Sequence, residues 1–512
     1  MAARMNDAEA IMWAVESDPF LRTDFTNVTL LESAPDPERL RAGLDRAIAA
    51  FPPLRQRVAR PPLGLAPPQW ADDPDFDLAY HLRRLSLPPP GETRQLLDLA
   101  AQLAAMPLDR ARPLWELTVV EGLAGGRTAV LQRLHHTLTD GVAGMKLLRT
   151  LLERSPSAGP GDVPAGSAAN RPGPDPLIWR HPEILSPADV EIVPRPLGGW
   201  GGPAGTGPGP ERDGSWVDRV AGPLGEVGGA LAYRLGQGVA AARKALELAT
   251  ALPGSTGDDL RILADQARRT ARSVADQVVV GGGPLSPLMV GRSLARRFET
   301  ASFDLEAVRR TARSLGAGRN AVFVAGVTGA LLGYHERMGA PCEALRMATP
   351  VSLRGSAAPE AAAAIGGNRF APARVVVPLG PKDPAKRVAA VRRALDGLAT
   401  EPGLTMTEPL AGLFSLLPPS VLVPALRAQV RTVDFATSIV PGLRSSRFMA
   451  GAPVEASWPM GPRVGCAVNF TVLTCDDRLH LGVNLDPAAV TDPAALMESL
   501  AESFADLLEA GA

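Results

Sequence analysis

The stretch His135-His136-Thr137-Leu138-Thr139-Asp140-Gly141 has the greatest chemical capacity in this chain. Histidine is scarce, with six in 512 residues, and two of the six are neighbours here. A histidine titrates near neutrality, so one side chain can take a proton from an alcohol and return it to a leaving group. Joint metal ligation by the pair is disfavoured, because adjacent residues on a strand point to opposite faces. The other histidines, His81, His181, His335 and His480, are scattered and no H-E-x-x-H occurs, so no metal is expected. A serine nucleophile would need a G-x-S-x-G elbow, which is absent, and Cys342 and Cys466 read as small buried apolar residues. The option that remains is a single histidine acting as general base in a channel, with its neighbour turned inward as support. Asp140, at a helix start, would accept backbone N–H groups or pair with a buried arginine and stiffen the loop. Gly141 lets the backbone bend tightly beside it.

Two strands and a helix must hold this stretch. Leu114 to Glu121 and Thr128 to His135 read as strands joined through the turn Gly122 to Gly126. Val142, Met145, Leu148, Leu151 and Leu152 then follow helical spacing. Upstream, Pro37 to Phe51 is a helix with Asp36 as N-cap and Pro37 at its first position, and Glu92 to Ala105 is another. The second half alternates in the same way. Arg297 to Phe303, Leu345 to Leu353, Ala371 to Val377, Ala467 to Leu473 and Leu479 to Leu485 read as strands. Leu305 to Leu315, Asn320 to Arg337, Lys382 to Leu398 and Pro493 to Glu509 read as helices. Between the halves, Ser155 to Asp213 is dominated by Pro, Gly, Ser and Ala, and Trp216 to Val279 returns to helix-forming sequence. The expected organisation is α/β: an N-terminal unit over 1–155, an excursion with connecting helices over 156–280, and a C-terminal unit over 281–512.

Composition narrows the partners. The formal net charge is -1, from 53 basic and 54 acidic residues, so no basic excess points to nucleic acid. Three cysteines, none in a C-x-x-C pair, fit a reducing, cytoplasmic compartment. The N-terminus carries acids and lacks the apolar core of a secretory signal. No apolar run reaches the ~18–20 residues of a spanning helix.

H-H-x-x-x-D-G resembles the signature of acyltransferases with the chloramphenicol acetyltransferase-like fold. More narrowly, the chain is similar to the bacterial wax ester synthase/diacylglycerol acyltransferase family. The resemblance runs in order along most of the sequence. Pro113-Leu114-Trp115-Glu116 looks like that family's P-L-[WF]-E, and His135 to Gly141 follows it. Asn320 stands where the family has Asn-Asp. Pro350-Val351-Ser352-Leu353-Arg354 and Gly367-Asn368 look like its P-V-S-x-R and G-N segments. Ser438-Ile439-Val440-Pro441-Gly442 looks like S-N-V-P-G, and Pro459-Met460-Gly461-Pro462 with Asn469 looks like P-x-G-P and the strand after it. Two positions depart from the pattern: Ala321 replaces the Asp after Asn320, and Ile439 replaces the Asn of S-N-V-P-G. Both bear on packing or selectivity and leave proton abstraction intact.

The resemblance implies two chloramphenicol acetyltransferase-like domains with an active-site channel between them. It implies transfer of a fatty acyl group from acyl-CoA, a co-substrate and not a resident cofactor, to diacylglycerol or a long-chain alcohol. His136 would be the base, His135 and Asp140 its supports, and no acyl-enzyme is required. Asn320 either donates to a substrate or caps its apolar helix. Arg354 reads better as a solvated surface residue than as a contact for CoA phosphates. The apolar stretch Leu410 to Leu426 reads first as two buried helices around Pro418-Pro419. Its sharper reading is a peripheral contact with a membrane or lipid inclusion. The rival functions are esterification of a polyketide or glycolipid alcohol, carrier-dependent condensation, and non-catalytic lipid binding.

Overall fold

The computed structural model describes residues 4–59, 67–139, 141–153, 155, 283–352, 370–399, 419–443 and 448–511. Asp140, the excursion over 156–280, Leu353, Arg354, Gly367, Asn368 and the stretch from Leu410 to Pro418 lie outside them.

Fifteen strands among the described residues form two large mixed sheets and one small hairpin. In chain order they are β1 Asp24–Leu31, β2 Gln56–Ala59, β3 Gln69–Asp72, β4 Leu82–Ser86, β5 Trp115–Glu121, β6 Thr128–His135, β7 Leu152–Glu153 and β8 Arg297–Asp304. Then come β9 Ala344–Ser352, β10 Phe370–Pro378, β11 Phe435–Leu443, β12 Phe448–Met449, β13 Ala452–Met460, β14 Val468–Cys475 and β15 Arg478–Leu485. The first sheet runs β4-β5-β6-β1-β13-β12-β7, the second β10-β9-β11-β14-β15-β8, and β2 pairs with β3. Strands and helices recur in both halves of the chain, as the alternating patterns predict.

The expected hairpin forms: β5 and β6 pair antiparallel from Trp115–Leu134 to Glu121–Thr128. Its turn works because Gly122, Gly125 and Gly126 all take positive φ, at 108°, 76° and 84°. Helix Pro37–Ala50 starts as its sequence requires, with the Asp36 carboxylate accepting the Arg39 N–H at 2.9 Å.

Two central strands escape the hydrophobic pattern. β1 puts Asn27 and Thr29 on a buried face, where water is unavailable. Their donors are engaged laterally: Asn27 Nδ2 donates to Thr29 Oγ1 and to Ser457 Oγ of β13, both at 2.9 Å, while Asn27 Oδ1 is buried without a hydrogen bond. β13 carries Pro453 and Pro459, which argue against a strand. Pro459 is tolerated because β12 covers only Ala452 and Pro453 on one side, leaving the rest of that edge without a ladder among the described residues, and Pro453 stands near the start of the strand. Its other side pairs with β1 from Val454 to Met460. Strands from beyond residue 281 thus complete the sheet begun by the N-terminal half.

The long apolar helix Arg319–Arg337 lies in the core of the second half, with Val322, Phe323, Val327 and Leu331 fully buried. It packs closely against helix Pro493–Glu509, because a Cβ at Gly326 would stand 2.3 Å from the Phe504 ring and one at Gly329 would stand 2.1 Å from Ser503 Oγ. No single helix among the described residues is long and apolar enough to cross a membrane.

Candidate active site

β6 ends at His135, and the chain turns at once, with the Leu138 N–H donating to the His135 carbonyl at 3.0 Å. The His135 N–H donates to Leu114 O at 3.0 Å, which ties the turn to the Pro113-Leu114-Trp115-Glu116 segment. Trp115 anchors that segment by donating its indole N–H to Leu54 O at 2.7 Å and stacking on His81 at 4.5 Å between ring centroids. Glu116 pairs with Arg83 at 2.8 Å and stands 3.7 Å from Arg133.

The two histidines have unlike surroundings. His135 is 1% exposed and its ring is fully engaged. Nδ1 accepts the Thr137 N–H at 3.1 Å, which places the ring proton on Nε2. Nε2 then donates to Glu16 Oε2 at 2.8 Å, while Glu16 Oε2 also accepts the Thr23 N–H at 3.3 Å. Asp24, the register partner of His135 on β1, is buried between Arg133 at 3.0 Å and Arg296 at 3.3 Å. Burial alone would raise its pKa, but the two guanidinium groups outweigh that and hold the carboxyl below its ordinary value.

His136 is half-buried, with its ring 4.9 Å from that of Phe25 at an interplanar angle of 54°. Its Nδ1 is sealed from solvent, and the Thr139 backbone holds the ring. Burial, and secondarily the neighbouring His135, push its pKa down to about 4, against the opposing pull of Asp24 and the Thr139 bond. The imidazole is therefore neutral, with one ring nitrogen unprotonated, throughout the physiological range.

Helix Gly141–Leu151 leaves directly from the motif, and Gly141 is its first residue. Gly144 seats the helix on Phe25, where a Cβ would meet the ring at 3.2 Å. The helix also reaches the second sheet: the Arg149 guanidinium donates to Gly442 O, inside Ser438-Ile439-Val440-Pro441-Gly442 on β11. The next segment closes on itself. Asn469 Nδ2 donates to Pro462 O at 2.6 Å and Asn484 Nδ2 donates to Gly461 O at 2.8 Å. A Cβ on Gly461 would lie 2.3 Å from Thr471 Oγ1, so only glycine fits there.

Asn320 is the second residue of helix Arg319–Arg337 and half-buried; Gly318 holds the cap position, so the capping role read from sequence is corrected. Ala321 is buried in the apolar cluster of the second half, where a carboxylate would need a partner. The expectation of a buried helix is corrected after Pro418: in helix Pro419–Val430 only Leu422 is buried, packing on Val15 and Leu21, while Val421 is 53% exposed. Sequence reasoning missed Glu16, Thr23, Asp24, Phe25, Arg133 and Arg296. For Glu16 to Phe25 the only signal was a mixed polar and apolar run before Leu31, which does not separate a strand from a loop; Arg133 lies inside the expected strand β6 and Arg296 just before β8, and neither position marks its partner Asp24.

The family model for the wax ester synthase/diacylglycerol acyltransferase catalytic domain matches residues 3–181, and that for the WS/DGAT C-terminal domain matches residues 366–508. The chain belongs to the wax ester synthase/diacylglycerol acyltransferase family. A Mycobacterium tuberculosis H37Rv protein, provisionally named a diacylglycerol O-acyltransferase, is 30% identical over 510 residues, covering 99% of this chain and 92% of the relative. A second such protein from the same strain is 29% identical, covering 99% of this chain and 97% of the relative. Among solved structures, the wax ester synthase/diacylglycerol acyltransferase of Marinobacter aquaeolei VT8 shares the fold with a TM-score of 0.59 at 18% identity, with 100% of both chains covered. The first condensation domain of the CDA synthetase shares it with a TM-score of 0.53 at 17% identity, covering 100% of this chain and 96% of the other. These likenesses place the chain in the expected mixed α/β class.

Proposed function

We propose that this enzyme, an O-acyltransferase of the diacylglycerol acyltransferase/wax ester synthase type, moves a fatty acyl group from acyl-CoA with His136 as its general base. Acyl transfer to diacylglycerol or an alcohol is the chemistry of its family. The observation that carries the assignment of the base is the division of labour between the two histidines. His135 has spent its ring nitrogens on Thr137 and Glu16, whereas His136 is neutral and half-buried.

In this reading His136 Nε2, on the ring edge opposite the enclosed Nδ1, takes the proton of the acceptor hydroxyl as its oxygen attacks the thioester carbonyl. The C–S bond then breaks, and the imidazolium returns the proton to the departing thiolate. The buried negative charge of Asp24, which raises the His136 pKa, favours the transient imidazolium. Burial keeps competing water from the thioester. In this assignment Asp140, which lies outside the described residues, and Asn320 are supporting residues only. Acyl-CoA is here a co-substrate and not a resident cofactor, and the partners are acyl-CoA and a lipid acceptor.

The test is thiol release from palmitoyl-CoA with panels of long-chain alcohols and diacylglycerols. Wild-type enzyme should release CoA only with acceptor present. His136→Ala, with an unchanged melting curve, should lose about 10³-fold in turnover, within the usual range for a general base. Near wild-type turnover in that variant would remove His136 from the role.

A further inference from the structure

A second feature, next to the histidine loop, is not used by proton transfer. A cleft of about 140 Å³ opens where the start of β1, the start of β8, and the ends of β13 and β15 meet. Its walls carry four arginines, Arg22, Arg292, Arg296 and Arg463, against one carboxylate, Asp486.

The four are not equivalent. Arg292 spends its donors on carbonyls, among them Gly465 O at 2.7 Å and Val433 O at 3.1 Å, so its charge is held in place without a contacting carboxylate. Arg463 pairs with Asp486 at 2.5 Å and donates to Ala295 O at 2.8 Å, yet its Nε is buried with no hydrogen-bond partner. Asp486 is itself saturated, since it also accepts Ser293 N–H at 2.7 Å, Ser293 O–H at 2.6 Å and Ala488 N–H at 3.0 Å. Arg22 donates Nη1 to Ala105 O at 3.0 Å; its Nε is likewise buried and makes no hydrogen bond, standing 3.9 Å from Glu16 Oε1. Arg296 shares Asp24 with Arg133.

Desolvated guanidinium groups with unspent donors are costly, and an anion with several acceptor oxygens removes that cost. Guanidinium forks match phosphate oxygens in geometry as well as charge. The cleft is also coupled to the catalytic loop through two carboxylates that pair with its arginines outside the lining: Glu16 joins Arg22 to His135, and Asp24 joins Arg296 to the strand position beside His135. We propose that this cleft is the anion subsite that holds the phosphorylated end of the thioester donor, with Arg22, Arg296 and the Nε edge of Arg463 as its contacts and Arg292 as its fixed positive background. This assignment rests on acyl-CoA being the donor.

Binding of CoA by full-length protein, with no acceptor and no turnover, tests it. The titrations use CoA, pantetheine, inorganic pyrophosphate, and phosphatidylcholine vesicles with and without phosphatidic acid. Arg22→Gln should weaken CoA about tenfold, the loss expected for one charge-assisted contact, and leave pantetheine unchanged. Pyrophosphate should displace CoA from wild type, and added salt should weaken CoA more than pantetheine. Arg296→Lys, which keeps a charge beside Asp24, should weaken CoA by about threefold and serves as the readout if Arg22→Gln melts early.

Equal losses of CoA and pantetheine, or no loss of either, would overturn the proposal. So would loss of phosphatidate-vesicle binding with CoA intact, which would make the cleft a lipid-headgroup site. The outcome is separable from that of His136→Ala: an active His136→Ala enzyme whose CoA affinity depends on Arg22 keeps the cleft and removes the base.

Discussion

The position just past β6 and the third residue of β15 each hold a histidine with a depressed pKa, and the difference between them shows what makes a site. His480, on β15, is pushed down to about 3 by burial, more strongly than His136. Its Nδ1 lies 2.7 Å from Ser302 Oγ of the neighbouring strand, and Trp458 donates its indole N–H to the same hydroxyl at 3.2 Å. A serine beside a histidine has the outline of a nucleophile and its base. It is walled in by paired strands on both sides, with Leu473 opposite on β14 and Ser302 opposite on β8, so no substrate can reach it. His136 stands just past the last paired residue of β6, where the ladder stops and the ring is half-exposed. A shifted pKa marks burial; chemistry also needs access, which a sheet provides at its ends.

Mutation should separate the two regions sharply. Beside the ~10³-fold loss expected for His136→Ala, His480→Ala should keep turnover within about threefold while losing about 2 kcal/mol of stability, the cost of a cavity and of the lost bond to Ser302. A large loss of turnover in a folded His480→Ala protein would erase the contrast. His135→Ala belongs between them. It strands Glu16 and Thr137 behind the loop, so turnover should fall roughly 10–100-fold and stability by about 2–3 kcal/mol together. If turnover fell as far as in His136→Ala with no change in melting, the support would itself be a participant. Val421→Glu should do least, shifting stability by no more than about 0.5 kcal/mol, since that side chain is on the open face of its helix. It is also the proper probe of lipid-surface contact: Leu422, buried against Val15 and Leu21, would report unfolding instead.

The sequence pattern made some of these regions plain and hid others, for identifiable reasons. β5, β6 and β15 have long apolar or β-branched runs between turn residues, and helix Pro493–Glu509 has its Asp492 cap and Pro493 start, so their boundaries fall where the pattern puts them. β1 and β13 sit at the centre of the first sheet but carry Asn27, Thr29, Ser457 and two prolines. Asn27 Nδ2 and the hydroxyls of Thr29 and Ser457 bond to one another, a condition that exists after the strands have paired. The site follows the same rule. The His-His-x-x-x-Asp-Gly stretch is local and legible. The groups that divide its histidines into support and base come from Glu16, Thr23 and Asp24, more than a hundred residues away in the chain. No periodicity connects such positions.

The central claim is that His136 is a neutral base at working pH, and the dependence of kcat/KM on pH addresses it most directly. The sign follows from a folded pKa that lies below the ordinary value of 6.5. Between pH 6.5 and about 4 the unfolded chain binds a proton that the native protein does not, so this group's contribution to stability falls as pH falls through that window. The native enzyme, held at a temperature where it stays folded, should keep His136 unprotonated and active across the same window. The account predicts an acid limb of kcat/KM near the His136 pKa of about 4 and no such limb in the residual activity of His136→Ala. An acid limb at 6.5 in the folded wild-type enzyme, or one that persists unchanged in His136→Ala, would contradict it.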